Sequence, residues 1–305
     1  MSGWKRVALI VLAAVIVVGG GAYYWLVVES HFPSDAAFEL DINEVRRLAG
    51  EMPGDGPREI KVEHVADFSF PATAIVAGDG WEMKPMPVYS FQLIYSDGTS
   101  GIVDTALSED LNAGTVSFNK EAYQRMETAI GKASFIVVTH EHVDHIGGLT
   151  AYPDLAGIAG NVDLTKEQID NPERSEPAVF TKEVLDSFTP VTYGDYKAIA
   201  PGVVLIKAAG HSPGSQMVYI RKADGSELLL IGDVAWQHRN IETLRERARL
   251  VTQFFLKEDR HAVFGQLKAL SDLEKAEPQI AIMPGHDGAV MERLLTGGVF
   301  NAGFE

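Results

Sequence analysis

The stretch Thr139-His140-Glu141-His142-Val143-Asp144-His145 places three histidines and an aspartate within six positions, directly after the apolar run Phe135-Ile136-Val137-Val138. Neutral imidazole and carboxylate suit zinc and its first-row neighbours. In extended backbone side chains alternate, so His140 and His142 point the same way, while Asp144 and His145 fall where Ile146-Gly147-Gly148 turns the chain. This spacing directs one pair of ligands to one metal and the next pair to a second. A structural zinc site commonly draws on thiolates, and this chain has no cysteine. A solvated, His-rich loop is the plainer reading of such density; matching ligands at later strand ends weigh against it.

Those later candidates stand at or just beyond the ends of apolar runs. His211 follows the strand expected over 203–207, and Asp233 follows a hairpin of 217–221 with 228–231. His286 follows a last strand over 279–283. All can converge on one edge. Asp104, after Gly101-Ile102-Val103, has a similar place and is either a carboxylate that orients a ligand or a turn residue. His31, His64, His238 and His261 read as surface or structural histidines.

The elements that must position these residues alternate between strand and helix. Residues 42–48 suggest a short amphipathic helix and 52–57 a loop. Strand character covers 60–70 and 73–77, and 88–95 pairs through Ser96-Asp97-Gly98 with 101–104 as a hairpin. Between them, 81–87 reads as a loop carrying Trp81, Met83 and Met86, which with Phe118 make either an apolar pocket wall or ordinary core. Residues 119–130 predict a helix, 161–200 an irregular insertion that can cover a pocket, and 241–256 and 260–276 two more helices. No short-period repeat interrupts the pattern.

Composition narrows the partners. Against 42 acidic residues stand 26 basic ones, a formal charge of -16, which opposes nucleic-acid binding through phosphate neutralisation. Residues 7–28 carry no charge and at about 1.5 Å per residue span roughly 30 Å of hydrocarbon. Lys5 and Arg6 precede the run and Glu29 follows, so the positive-inside rule puts the remaining chain outside the cytoplasm. The expected organisation is a membrane anchor over 1–29, a linker with a short helix over 30–58 and a globular domain over 59–305 that carries the candidate ligands. Cleavage near Gly20-Gly21-Ala22 would instead make 1–29 a signal peptide and the protein secreted.

In order, His140-x-His142-x-Asp144-His145, Gly210-His211, Gly232-Asp233 and Gly285-His286 resemble the motifs of metallo-β-lactamase-fold hydrolases, over about residues 60–287. The resemblance implies an α/β fold, a four-layer αβ/βα sandwich with a dinuclear site at the edge shared by its two sheets. It implies that His140, His142 and His211 bind one divalent metal, that Asp144, His145 and His286 bind the other, and that Asp233 bridges them. Zinc is the expected metal, with iron, manganese and cobalt as alternatives. The implied chemistry is attack of a metal-bridged hydroxide on a lactone or ester carbonyl, with Asp144 passing a proton to the departing alkoxide.

Within that family, class B β-lactamases, glyoxalase II enzymes and RNase Z-like nucleases fit less well than the N-acyl-homoserine lactone lactonases, which Pro87-Val88-Tyr89-Ser90-Phe91 and His211-Ser212-Pro213-Gly214-Ser215-Gln216 resemble. Organophosphate hydrolases are the similar alternative, with a general esterase beside them and a non-catalytic metal-binding protein as the rival from another class. Two places depart from the lactonase pattern. Trp236 stands where a tyrosine often follows the bridging aspartate, and Asp104-Thr105-Ala106 replaces Asp-Thr-Gly. The expected substrate is a small neutral or apolar-tailed lactone or ester, lined by Trp236, Trp81, Met83, Met86 and Phe118.

Overall fold

A computed structural model describes residues 3–305. Apolar residues at every second position of the strands sort into different cores. In β5 (Phe135–Val137), Phe135 and Val137 face one core while Ile136 faces another. In β7 (Val203–Lys207), Val203 and Leu205 face the first of these, and Val204 and Ile206 face a third. Period-two alternation with both faces apolar demands cover on both sides of each sheet.

The first sheet runs in the order β11 (Asn301–Ala302), β1 (Glu59–Pro71), β2 (Met83–Ile94), β3 (Ser100–Val103), β5, with β4 (Ser117–Phe118) paired to β1. The second runs β10 (Ala281–Met283), β9 (Glu227–Leu230), β8 (Gln216–Arg221), β7, β6 (Tyr196–Ala200). The sheets pack face to face through Ile60, Leu93, Val103, Leu205, Val218 and Leu230. Helices Lys120–Ile130 and Val143–Thr150 cover the outside of the first sheet, and Ile42–Ala49 and Arg260–Ala276 cover the outside of the second. This is the four-layer αβ/βα sandwich.

Strand direction places the site. β3 and β5 are parallel, as are β9 and β10, and β7 shares the direction of β9 because both oppose β8. The C-terminal ends of β5, β7, β9 and β10 therefore deliver His140, His211, Asp233 and His286 to a common edge, with Asp104 at the end of β3.

Several expectations change. Residues 83–87 belong to β2 rather than to a loop: Pro71 pairs with Met83 and Asp67 with Pro87, while β3 opposes only Phe91–Ile94, so both prolines lie where β2 has a free edge. Residues 72–75 form a helical turn instead of a strand. The helix expected over 241–256 is broken, because Leu244 adopts φ 51° after the helix His238–Thr243 and 245–248 are irregular before a wide turn over Leu250–Phe255. Within the expected insertion 161–200, the last residues form β6, while Leu164, Ala178 and Phe188 seal the first core. After His286 the chain forms a further helix, Gly288–Thr296, capped by Asp287.

Asp144 and His145 sit in the first turn of the helix Val143–Thr150, not in a bare turn. That helix is clamped to the end of β3: Thr105 N–H donates to the His145 carbonyl at 2.7 Å, and Thr105 Oγ1 accepts from Leu149 N–H at 3.0 Å. Gly148 permits this approach, since a Cβ there would lie 2.1 Å from the Thr105 carbonyl oxygen. Gly148→Ala is therefore expected to destabilise the fold by about 1–3 kcal/mol through overpacking. Guanidinium unfolding checks this, and an unchanged midpoint would contradict the clamp.

Candidate metal centre

The turn after β5 brings His140 and His142 together, and the other strand ends close around them. Donor atoms of His140, His142, His211 and Asp233 lie within 4.8 Å of one another, as do those of Asp144, His145 and His286. Asp233 faces both sets. Its Oδ2 lies 3.7 Å from His140 Nε2 and 3.3 Å from His211 Nε2, while its Oδ1 lies 3.5 Å from His145 Nε2 and 3.1 Å from His286 Nε2. Asp144 Oδ2 completes the second set, 3.4 Å from His286 Nε2.

Three of the imidazoles are aimed by their other nitrogen. His145 Nδ1 meets Asp104 Oδ2 at 2.8 Å, His211 Nδ1 meets Glu258 Oε1 at 2.5 Å, and His286 Nδ1 meets the Pro87 carbonyl at 2.8 Å. Such outward bonds fix the tautomer that leaves Nε2 as an inward lone pair. Asp104 is itself held, at φ 58°, by the Thr139 N–H and hydroxyl. Of the two alternatives raised by its sequence position, the structure supports the orienting carboxylate. Next to it Ala106 also has positive φ, 49°, at the place where the related pattern has glycine.

The donor set fits metal binding. His142 Nδ1 sits 3.0 Å from His140 Nε2 and 2.9 Å from His211 Nε2, so three ring nitrogens converge on one point. His145 Nε2 and Asp233 Oδ1 are buried with no hydrogen-bond partner among the described residues. Buried polar atoms without partners are costly, and a cation between them removes that cost. Burial, helped by the neighbouring histidines, holds His140 and His142 well below the usual imidazole range, which keeps them neutral as ligation requires. Burial opposes charge on His145 too, but Asp104, Asp144 and Asp233 prevail and raise it.

Beyond these residues lies a frame that the sequence pattern does not reveal. Glu258 Oε1 also takes Arg247 Nη2 at 2.5 Å, and the Arg247 guanidinium lies 5.0 Å from the centre of the Trp236 ring. Trp236 in turn donates its indole N–H to Asp233 Oδ2 at 2.6 Å. Glu141 accepts from Ser212 Oγ at 2.7 Å and Gly214 N–H at 3.1 Å, tying the His211 loop to the His140 loop. Arg247 falls within the helix expected over 241–256 and Glu258 between that helix and the next; the Leu244 break turns the chain so that both are buried, and no local signal announces it.

A cavity of about 520 Å³ opens on both donor sets. Phe68, Phe70, Met86, Leu111 and Leu256 form its apolar wall, and Glu173 and Arg174 bring the insertion to its side. Of the five residues expected to line it, Met86 and Trp236 do. Trp81 and Met83 are exposed outside it, because β2 runs on to Met83 and carries both past the end of the wall. Phe118 packs on Tyr123 and the first core, since β4 pairs it against β1.

The chain belongs to the metallo-beta-lactamase superfamily, whose profile matches residues 89–286. An N-acyl homoserine lactonase of Bacillus thuringiensis is 27% identical over 159 residues, 50% of this chain and 55% of that protein. One of Bacillus cereus is 31% identical over 110 residues, 35% of this chain and 41% of that protein. The first match thus spans about half the length of that curated relative. Among solved structures, an N-acyl homoserine lactone hydrolase with N-hexanoyl-L-homoserine at its catalytic metal center superposes with TM-score 0.61, at 20% identity, over 78% of this chain and 96% of that one. A dizinc quorum-quenching lactonase superposes with TM-score 0.53, at 13% identity, over 75% and 87%. At these identities the superpositions establish the fold.

Glu258 sets a test of the frame. Burial alone would raise its pKa, but the Arg247 guanidinium and the His211 bond prevail and hold it below 4.5. A carboxylate depressed in the fold adds stability that is complete above its unfolded pKa and lost as pH falls through the folded one. Glu258→Gln leaves Arg247 buried without its counter-charge and is expected to cost about 3–5 kcal/mol near neutrality. The deficit should shrink in buffers on the acid side of 4.5. Urea titrations at both conditions check the sign, and a deficit independent of pH would refute it.

Proposed function

We propose that this protein is a metal-dependent hydrolase that opens lactones carrying an apolar tail. The observation that carries the reading is the pair of donor sets sharing Asp233, at the floor of an apolar-walled cavity. His140, His142 and His211 would hold one divalent cation, Asp144, His145 and His286 the other, with Asp233 between them. When bound, two such cations, zinc being the natural match to these donors, supply Lewis acidity and an acidified water. The names of the lactonase relatives support the substrate class.

The chain's own residues set the rest of the chemistry. Phe68, Phe70, Met86, Leu111 and Leu256 receive an acyl tail. Asp144 borders both the cavity and His286, where its carboxylate can take the proton given up by the attacking water and hand it to the alkoxide leaving the opened ring. The Trp236 indole is committed to Asp233, where the lactonase pattern often has a tyrosine free to meet a substrate. This departure from the lactonase pattern favours a second reading, an ester or phosphotriester hydrolase on the same site.

We also propose that the N-terminal helix anchors the protein, with residues after 28 outside the cytoplasm. Residues Gly3–Val28 are long and apolar enough to cross a membrane. The helix Gly3–Tyr23 buries no residue, which argues against a core helix of a soluble domain.

The purified full chain is expected to bind two metal ions per molecule and to turn over acyl-homoserine lactones in preference to an aryl ester or a phosphotriester. Elemental analysis and a substrate panel measure both. Asp233→Ala should abolish turnover; ester or phosphotriester turnover alone would retain the site and reject the lactonase reading. Trp236→Phe, which removes the bond to Asp233, should weaken metal affinity by roughly 10–100-fold, as read by competition with a chromogenic chelator.

A further inference from the structure

The end of the N-terminal helix is seated on the same two segments that wall the cavity. Gly78 N–H donates to the Val27 carbonyl at 3.0 Å, and Arg245 donates from Nη2 to the Val28 carbonyl at 2.5 Å and from Nε to the Ala77 carbonyl at 2.7 Å. Arg249 pairs with Glu29 and lies 4.8 Å from the centre of the Trp25 ring. Trp81 donates its indole N–H to Tyr23 Oη at 3.2 Å, and the two rings stack at 6.4 Å. From residues 72–83 the chain runs straight into Met86, and from 245–255 into Leu256, both in the cavity wall.

Around this junction large apolar side chains stand exposed beside the charged pair Glu82 and Lys84. Trp81 is 61% exposed, Met83 58%, Leu250 51%, Phe254 62% and Phe255 69%, and Phe255 also borders the cavity. Surface aromatics gathered in this way mark a contact with another phase or molecule. The anchor identifies the occupant. Tyr23, Tyr24 and Trp25 close the apolar helix at the depth where aromatic side chains favour the membrane interface. Trp81 stacks on the first of them and Arg249 on the last, so the side chains next to them stand at the same depth.

We propose that Trp81, Met83, Leu250, Phe254 and Phe255 insert into the bilayer interface and hold the cavity mouth there, so that an apolar-tailed substrate enters from the lipid. This rests on the anchoring reading above. A tail dissolved in the membrane is then presented to Phe255 and Leu256 without first crossing water. The chain's charge of -16 makes insertion of apolar groups, rather than attraction to anionic headgroups, the source of contact.

The absence of native cysteine allows single labels in the full chain. A polarity-sensitive fluorophore is placed at Phe254→Cys, Trp81→Cys, Val17→Cys within the helix and Asp224→Cys, which lies in the β8–β9 turn at the opposite end of the sheet from the metal ligands. Each variant is reconstituted in phosphatidylcholine vesicles. The expected result is blue-shifted emission, quenched by doxyl-labelled lipid and protected from aqueous iodide, at 17, 254 and 81, with 224 open to iodide. Lipid quenching at 17 but water-like behaviour at 254 and 81 would overturn the interfacial surface and leave the anchor standing. Water-like behaviour at 17 would overturn both.

Discussion

The arrangement turns on one buried carboxylate. Asp233 is nearly inaccessible, faces four imidazoles and receives an indole N–H, and its burial is tolerable only because those groups surround it. His286 and His145 hold its pKa far below the usual carboxylate range against a strong burial penalty. A charge in this position calls for cationic counterparts, and donor atoms of both sets surround it. The sheets contribute direction: strands that share it end together, and the residues just past their ends meet around Asp233.

Rigidity comes from bonds that lie one layer out. Asp104 is fixed by Thr139 before it orients His145, and Glu258 is fixed by Arg247 before it orients His211. Arg247 also lies against the Trp236 ring, so the supports of His211 and Asp233 form one frame. The helix Val143–Thr150 is locked to the end of β3 by a glycine-width contact. Displacement of any of these elements would shift a ligand rather than merely loosen a surface.

The irregular segment 244–258 joins two features that could have been separate. Its first residues grip the end of the N-terminal helix, its middle exposes aromatic side chains, and its last residues close the cavity and support His211. The insertion reaches the same place from the other side, where Arg174 donates to the Leu256 carbonyl. Cavity wall and helix seat are therefore parts of one structure, which makes the placement of the N-terminal helix relevant to the chemistry.

Much of this was legible in the order of residues because ligand motifs and strand ends are local. Histidine and aspartate spacing after apolar runs identified all seven residues that the fold brings together, and alternating patterns announced both hairpins and the helix Lys120–Ile130. The cavity wall was not legible. Trp81 and Met83 have the composition of a pocket and lie outside it, because pairing between β1 and β2 decides where they emerge. Arg247 and Glu258 look like surface charges and are buried, because Leu244 leaves the helical region and turns the following chain inward. Residue types and short-range spacing by themselves determined the metal-binding chemistry and the strand ends that carry it. Which side chains face the cavity, which support the ligands and which stand beside the N-terminal helix depended on long-range pairing and backbone breaks, and only the tertiary structure decided those.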